Sequence, residues 1–236
     1  MKYGARASIG VITPLGDGVD HTFNKYAPEG VSFTLTGLTF PGPTPEGLIY
    51  LSDQVEDASK KYAKGHFDVI LFGCTSGSCI GGFGFDKEMI ERIERGSGHP
   101  GLTTSTSVLE AFKALGAKKT VVLTPYPDNT NEIEKKFLED NGIEVISISG
   151  MGFNRGGEFT HTSREFLYRS AKALKKEGAD SFFLSCMGLN TMEFVQTMED
   201  DFGVPVITSH QASLWACLRH SGVKDKIPGL GKLFTL

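Results

Sequence analysis

Short apolar runs alternate along the chain with segments in which apolar residues recur every three or four positions. Unbroken apolar runs such as residues 67–72 are typical of strands that are buried on both faces. Helical spacing follows Thr44 and Pro45, where an N-cap residue precedes a proline suited to the first helical turn. This alternation predicts an α/β protein, with parallel sheets flanked by helices and right-handed crossovers.

The same patterns place the individual elements. The predicted strands cover residues 7–12, 31–35, 67–72, 120–123, 143–148, 181–184 and 204–207. Three predicted helices start after Thr44, at Asp86 and after Ser163. Three more are predicted around Ile133 and Phe137, around Met192, Val195 and Met198, and around Leu214, Trp215 and Leu218.

Two segments of the chain are echoed about half a chain length later. FDVILFGCTSGS (67–78) is echoed by DSFFLSCMGLNT (180–191), and the segment 99–116 is echoed by 204–222 at a constant offset of 105 residues. Parallel strands of similar composition would also look alike, but two echoes in the same order favour duplication. We therefore predict two similar half-domains, residues 1–115 and 116–222, related by a pseudo-twofold axis with the active site between them. A tail follows at 223–236, and the last helix could cross back onto the first half.

Composition narrows the class of protein. Lys and Arg total 24 against 28 Asp and Glu, a net charge of −4 that argues against nucleic acid as a partner. No apolar run approaches the ~20 residues that span a bilayer, and the start lacks a signal-peptide pattern, so we expect no membrane association. Four cysteines without a C-x-x-C motif indicate reduced thiols and a cytoplasmic location. The cysteines and six histidines show no zinc-ligand spacing, so no metal site is expected.

Cys74 and Cys186 each follow a predicted parallel strand, where ligands of α/β sheets bind. The free backbone N–H groups and dipole of a following helix would attract a carboxylate and favour a thiolate. Two thiols across a cleft could act as a base and an acid, or as a nucleophile and an acid. A buried cysteine is otherwise a small apolar residue, which is the interpretation we prefer for Cys79 and Cys217.

The motifs FGCTSGS (72–78) and LSCMGLNT (184–191) resemble the aspartate/glutamate racemase superfamily, in particular its branch of maleate cis-trans isomerases and arylmalonate decarboxylase. IGVITP near the start, TPEG (44–47), TPYPDNTNE (124–132) and GVPVITSHQASLWACLRHSG (203–222) are similar to the same branch. The resemblance covers nearly the whole chain. It implies two half-domains, no organic cofactor and no metal, and it allows a homodimer.

Carried over residue by residue, the resemblance implies Cys74 and Cys186 as the catalytic thiols. It implies substrate binding by Pro14, Thr75, Ser76, Tyr126, Asn154, Met187 and Gly188. Asn154 would bind a second carboxylate of a dicarboxylate substrate. His210 could also reach the cleft, although a packing or capping role is typical of its position.

Two departures separate the chain from its relatives. The loop Thr13-Pro14-Leu15-Gly16-Asp17-Gly18 lacks the asparagine of the maleate isomerase loop, whereas Cys74 replaces a glycine of arylmalonate decarboxylase. The sequence therefore predicts a cofactor-independent isomerase or racemase of a small carboxylic acid, by cis-trans isomerisation or by α-carbon racemisation. The alternatives are a decarboxylase that uses Cys186 as proton donor and a non-catalytic carboxylate-binding protein.

Because polar residues follow Cys74 and apolar ones follow Cys186, we expect Cys74 to ionise more readily.

Overall fold

Two four-stranded parallel sheets form the centre of the protein in the computed structural model, which describes residues 4–174 and 176–236. The first sheet has the order β2-β1-β3-β4 and the second the order β6-β5-β7-β8, so the two have the same topology. The strands are β1 Ala7–Pro14, β2 Val31–Leu38, β3 Val69–Phe72, β4 Gly101–Thr103, β5 Lys119–Thr124, β6 Glu144–Gly150, β7 Ser181–Leu184 and β8 Val206–Thr208.

Helices connect successive strands and cover the sheets. They are α1 Val19–Tyr26, α2 Pro45–Asp53, α3 Val55–Ser59, α4 Thr75–Cys79, α5 Phe85–Ser97, α6 Thr104–Leu115, α7 Asp128–Asp140, α8 Gly156–Thr160, α9 Arg164–Ala173, α10 Val195–Phe202 and α11 Ser209–His220. Short 3-10 turns lie at Lys60–Tyr62, Met192–Phe194 and Lys232–Thr235. In the described part of the chain, no helix combines the length and the apolar character that crossing a bilayer requires.

The central strands are apolar on both faces because helices cover both sides of each sheet. In β3 and β7 every residue is buried, and Val69 and Ile70 pair with Ile9 and Gly10 of β1. The predicted α/β architecture is therefore confirmed.

Helix caps at equivalent positions explain the second sequence echo. The Thr103 hydroxyl accepts a hydrogen bond from the Thr106 N–H at the start of α6, and Thr208 accepts one from the Gln211 N–H at the start of α11. Each cap fixes where a strand ends and a helix begins. Helices α6 and α11 pack against each other between the two sheets. At the end of the chain, Phe234 is buried in the same apolar cluster as β1.

The element predictions are right in type and differ at the boundaries. The strand predicted from residue 204 begins at Val206, and the one predicted to end at residue 35 continues to Leu38. Helix α4 follows Cys74 as expected, whereas a turn at Met187 and Gly188 follows Cys186 in place of the expected helix. Helices α1, α6 and α8 and strand β4 were not predicted, and most of these are short.

Candidate active site

A cavity of about 360 Å³ opens where β1, β3, β5 and β7 end. Both predicted thiols line it, one contributed by each sheet. The lining residues are Pro14, Leu15, Gly16, Asp17, Phe40, Gly73, Cys74, Thr75, Ser76, Tyr126, Phe159, Thr160, His161, Cys186, Met187 and Gly188. The structure thus brings together every predicted site residue except Asn154.

Asn154 lies away from the cavity. Its side chain is exposed, and its Nδ2 donates a hydrogen bond to the Gly152 carbonyl at 3.1 Å. Its backbone N–H donates to Glu158 at the start of α8, which fixes the loop in this direction. The structure therefore does not bring Asn154 to the other predicted substrate-binding residues.

Cys74 is the N-cap residue of α4 and lies two positions after the end of β3. Its sulfur accepts a hydrogen bond from the Gly77 N–H at 3.4 Å, as a capping side chain does. A Cβ atom on Gly77 would lie 3.0 Å from that sulfur, so the absence of a side chain there leaves room for the thiol.

Cys186 has a backbone conformation that is rare for a residue with a side chain. Its φ is 107°, and it is the one non-glycine residue with positive φ in the described part of the chain. Its backbone N–H donates to Ser209 Oγ at 2.9 Å, and its sulfur accepts from the Gly188 N–H at 3.2 Å. Strained residues of this kind concentrate at functional sites.

Burial disfavours the thiolate form of both cysteines. Burial raises the pKa of Cys74 to about 12 and that of Cys186 to about 12. Backbone N–H groups oppose this effect, as do the hydroxyl of Ser76 for Cys74 and that of Tyr126 for Cys186. Burial outweighs these donors at both cysteines and raises the two pKa values alike, so the expectation that Cys74 ionises more readily stays a prediction.

Thr75 and Ser209 connect the two halves beneath the cavity. The Thr75 hydroxyl donates to Ser209 Oγ at 2.8 Å, and both residues are buried. The oxygen of Ser209 therefore holds the residue after one cysteine and the backbone N–H of the other.

The other cysteines and His210 do not line the cavity. Cys217 is fully buried in the core, and Cys79 is 2% exposed within α4. His210 is buried beside Phe23, and burial lowers its pKa to about 4. These positions agree with the packing roles that the sequence favoured.

Sequence reasoning missed two acidic residues near the thiols. Asp17, from the loop after β1, lines the cavity, and burial raises its pKa to about 7. Glu134 of α7 is 2% exposed behind the thiols, and burial raises its pKa to about 7. Its Oε1 accepts a 2.6 Å hydrogen bond from the Ser185 hydroxyl, next to Cys186. Glu134 follows other charged residues in an amphipathic helix, so nothing local marked it as buried.

Two aromatic side chains, Phe40 and Phe159, also line the cavity. Phe159 packs edge-on against Tyr126, with ring centroids 6.2 Å apart. Within the described residues, no group of three or more His, Cys, Asp or Glu side chains could hold a metal ion.

The sequence model of the arylmalonate decarboxylase family matches residues 9–234, nearly the entire chain. The chain belongs to the arylmalonate decarboxylase family. This membership confirms the branch that the motifs around Cys74 and Cys186 resemble.

Individual members of this branch are similar over most or nearly all of their length. The arylmalonate decarboxylase of Bordetella bronchiseptica is 29% identical, with 99% of each chain covered. A maleate isomerase of Nocardia farcinica is 26% identical, over 86% of this chain and 83% of that one. These relatives are enzymes.

A solved structure has the same fold. It is a cysteine-to-serine variant of the Nocardia farcinica maleate cis-trans isomerase with a covalently bound succinylcysteine intermediate. The TM-score is 0.91 at 22% identity, and the match covers 97% of this chain and 98% of that chain.

Proposed function

We propose that the protein is a cofactor-independent isomerase or racemase of a small carboxylic acid, with Cys74 and Cys186 as its paired acid and base. The observation that carries the proposal is that one thiol from each half lines the same cavity. Each thiol also lies beside hydrogen-bond donors, and each relative named above is an enzyme that belongs to this branch.

The proton transfer requires one thiolate and one thiol. The thiolate sulfur takes a proton from the α-carbon and becomes a thiol, and the C–H electron pair moves into an enediolate. The second thiol then gives its proton to the opposite face of that carbon and becomes the thiolate. Atoms and charge balance, and the two cysteines have exchanged roles.

Donors around the thiols could stabilise the enediolate. The Ser76 and Tyr126 hydroxyls favour the charged form of Cys74 and Cys186 respectively. The N–H groups of Gly77 and Gly188 point at the sulfurs and would be available to a substrate oxygen as well. The Thr75 hydroxyl is not a donor to the enediolate in this scheme, because it already donates to Ser209 Oγ.

Racemisation of a monocarboxylate fits the cavity better than cis-trans isomerisation of a dicarboxylate. Asn154, the residue suggested for a second carboxylate, is exposed elsewhere. Among the lining residues that the structure describes there is no lysine or arginine, and Leu15, Phe40 and Phe159 form apolar walls. A carboxylic acid with one apolar substituent at its α-carbon would match this lining.

Decarboxylation is the second candidate. The family match and the 29% identical decarboxylase favour it, and the apolar walls could destabilise a departing carboxylate. In that reaction Cys186 alone would be needed, as the donor of a proton to the carbanion.

Solvent isotope exchange tests the proposal. The substrates are the separate enantiomers of 2-phenylpropanoate, because the aryl group acidifies the α-C–H, and the solvent is D₂O. We expect Cys74→Ala and Cys186→Ala to abolish racemisation, and each variant to exchange deuterium into only one enantiomer, opposite in the two variants. Cys217→Ala, a buried thiol outside the cavity, should retain both activities.

Other outcomes would overturn the proposal. Release of CO₂ from phenylmalonate that needs Cys186 but not Cys74, without racemisation, would identify a decarboxylase. Binding of carboxylates without turnover of either substrate, unchanged by both alanine substitutions, would identify a binding protein.

A further inference from the structure

Asp17 places an acidic group in the cavity that the proposed reaction does not use. It lies in the loop after β1, partly buried, and contributes to the cavity wall. Its Oδ1 accepts a hydrogen bond from the Val19 N–H at 3.2 Å, and its Oδ2 is bonded to the Thr13 hydroxyl. These contacts hold the carboxyl group close to Cys74. The negative charge of Asp17 helps to raise the pKa of the Cys74 thiol.

The hydrogen-bond count around Thr13 favours a protonated Asp17. The Thr13 hydroxyl has one hydrogen and two neighbouring oxygens, Asp17 Oδ2 and the Gly73 carbonyl at 3.0 Å. A carbonyl can only accept. If Thr13 donates to Gly73, the contact with Asp17 is a hydrogen bond only when the acid carries the proton. The neutral form therefore satisfies both contacts, and the ionised form satisfies one at a time.

A second negative charge in the cavity would be repelled by the ionised carboxyl group of Asp17. The titratable groups that face or share the site are Asp20 on α1, Cys74, Tyr126, His161, Cys186 and the buried Glu134. Asp20 and Glu134 add negative charge, and no lysine or arginine among the described lining residues offsets it. Like charges in a partly dehydrated site repel strongly.

We propose that Asp17 determines the substrate class by charge: the site accepts one carboxylate and an uncharged substituent, and ionised Asp17 excludes a second carboxylate. This inference rests on the proposed function, since it takes the first carboxylate to bind beside the two thiols. It predicts that a dicarboxylate binds only to the protein with a protonated Asp17.

Calorimetric binding of two four-carbon acids, butanoate and succinate, tests the idea without turnover. For the unaltered protein we expect the Kd of succinate to rise more than about tenfold between about pH 6.5 and about pH 8.5, as Asp17 ionises. The Kd of butanoate should change less, within about threefold.

Asp17→Asn separates charge from structure. The asparagine amide can donate to Thr13 while its oxygen accepts from Val19, so it reproduces the contacts of the neutral acid. In this variant succinate should bind at least about tenfold more tightly at about pH 8.5, with little pH dependence. Glu134→Gln is the matched control, because the carboxyl group of Glu134 also has a pKa of about 7. In this variant the pH dependence of succinate binding should persist.

The outcomes distinguish the two proposals. Butanoate and succinate binding that is equally insensitive to pH and to Asp17→Asn would overturn the role of Asp17 and leave the carboxylate site standing. Loss of the succinate pH dependence in Glu134→Gln, rather than in Asp17→Asn, would assign the effect to Glu134. Failure of both acids to bind would overturn the carboxylate site and this inference with it.

Discussion

Thr75 and Ser209 lie 134 positions apart in the chain, yet the Thr75 hydroxyl donates a 2.8 Å hydrogen bond to Ser209 Oγ. The same oxygen accepts from the backbone N–H of Cys186. One buried serine thus joins the residue after the first thiol to the second thiol. In the proposed mechanism, proton transfer between two thiols and one carbon depends on their spacing, so we expect Ser209 to act as a positioning residue for both halves.

Removal of this link should impair both turnover and stability. We expect Ser209→Ala to lower kcat about 10- to 100-fold, since small displacements of reacting groups are costly. The free energy of unfolding should fall by about 1–3 kcal/mol, because two buried donors lose their acceptor. Steady-state kinetics and urea denaturation measure the two effects.

Ser107→Ala is the matched control, because Ser107 is buried and its hydroxyl donates locally, to the carbonyl of Thr103 at the start of α6. It should lose stability but keep kcat. Equal losses of kcat in the two variants would contradict the positioning role.

The backbone of Cys186 predicts that glycine is more stable than alanine at this position, whereas the order is reversed at Cys79. With φ at 107°, glycine at this position should relieve strain, so Cys186→Gly should be more stable than Cys186→Ala by about 1 kcal/mol. Cys79 lies within helix α4, where glycine is unfavourable, so Cys79→Gly should be less stable than Cys79→Ala by about 1 kcal/mol. Urea denaturation of the four variants measures both differences, and the same sign at both sites would argue against strain at Cys186.

The sequence predicted what depends on local pattern. The strand ends at Phe72 and Leu184, just before the two cysteines, follow from apolar runs, because a strand buried on both faces is mostly apolar. Thr103 and Thr208 occupy equivalent positions in the two repeated segments because each caps the helix that follows it. Such a cap depends on a few neighbouring residues and can be predicted from the sequence.

What the sequence missed depends on how distant segments meet. Asn154 was assigned to the site by the resemblance to maleate isomerases, but the direction of its loop is fixed by Glu158 of α8. Asp17 and Glu134 look like ordinary charged residues until the fold buries them beside the thiols. The positive φ of Cys186 has no signature in its neighbours.

Alkylation of the thiols should report their protonated state. Because the pKa of Cys74 and that of Cys186 are both about 12, iodoacetamide should label both slowly at neutral pH. The rates should rise about tenfold per pH unit up to about pH 9, without a plateau. Mass spectrometry of the intact and digested protein measures each site, and the buried Cys79 and Cys217 serve as unlabelled internal references. A plateau below about pH 9 for Cys74 alone would show that it ionises first, as the sequence predicts, and that burial does not raise its pKa to about 12.

The buried Glu134 should make the protein less stable as the pH rises. In the unfolded chain this carboxyl group loses its proton near its usual pKa of 4.5, whereas the folded protein holds the proton until about pH 7. The folded state therefore binds more protons between these values, and the free energy of unfolding falls there by about 1.4 kcal/mol per pH unit for this group. Above about pH 7 the loss, about 3 kcal/mol in total, is complete.

Glu134→Gln removes this contribution while Gln Oε1 can still accept from the Ser185 hydroxyl. We expect the stability of the variant relative to the unaltered protein to increase by up to about 3 kcal/mol between about pH 5 and about pH 8, in urea denaturation. Asp17 acts in the same direction, so part of the slope should remain in the variant. Glu132→Gln, an exposed change on the same helix, should leave the slope unaltered. Parallel stability profiles for Glu134→Gln and the unaltered protein would show that Glu134 is not held in its neutral form, because only a proton retained on folding couples this residue to pH.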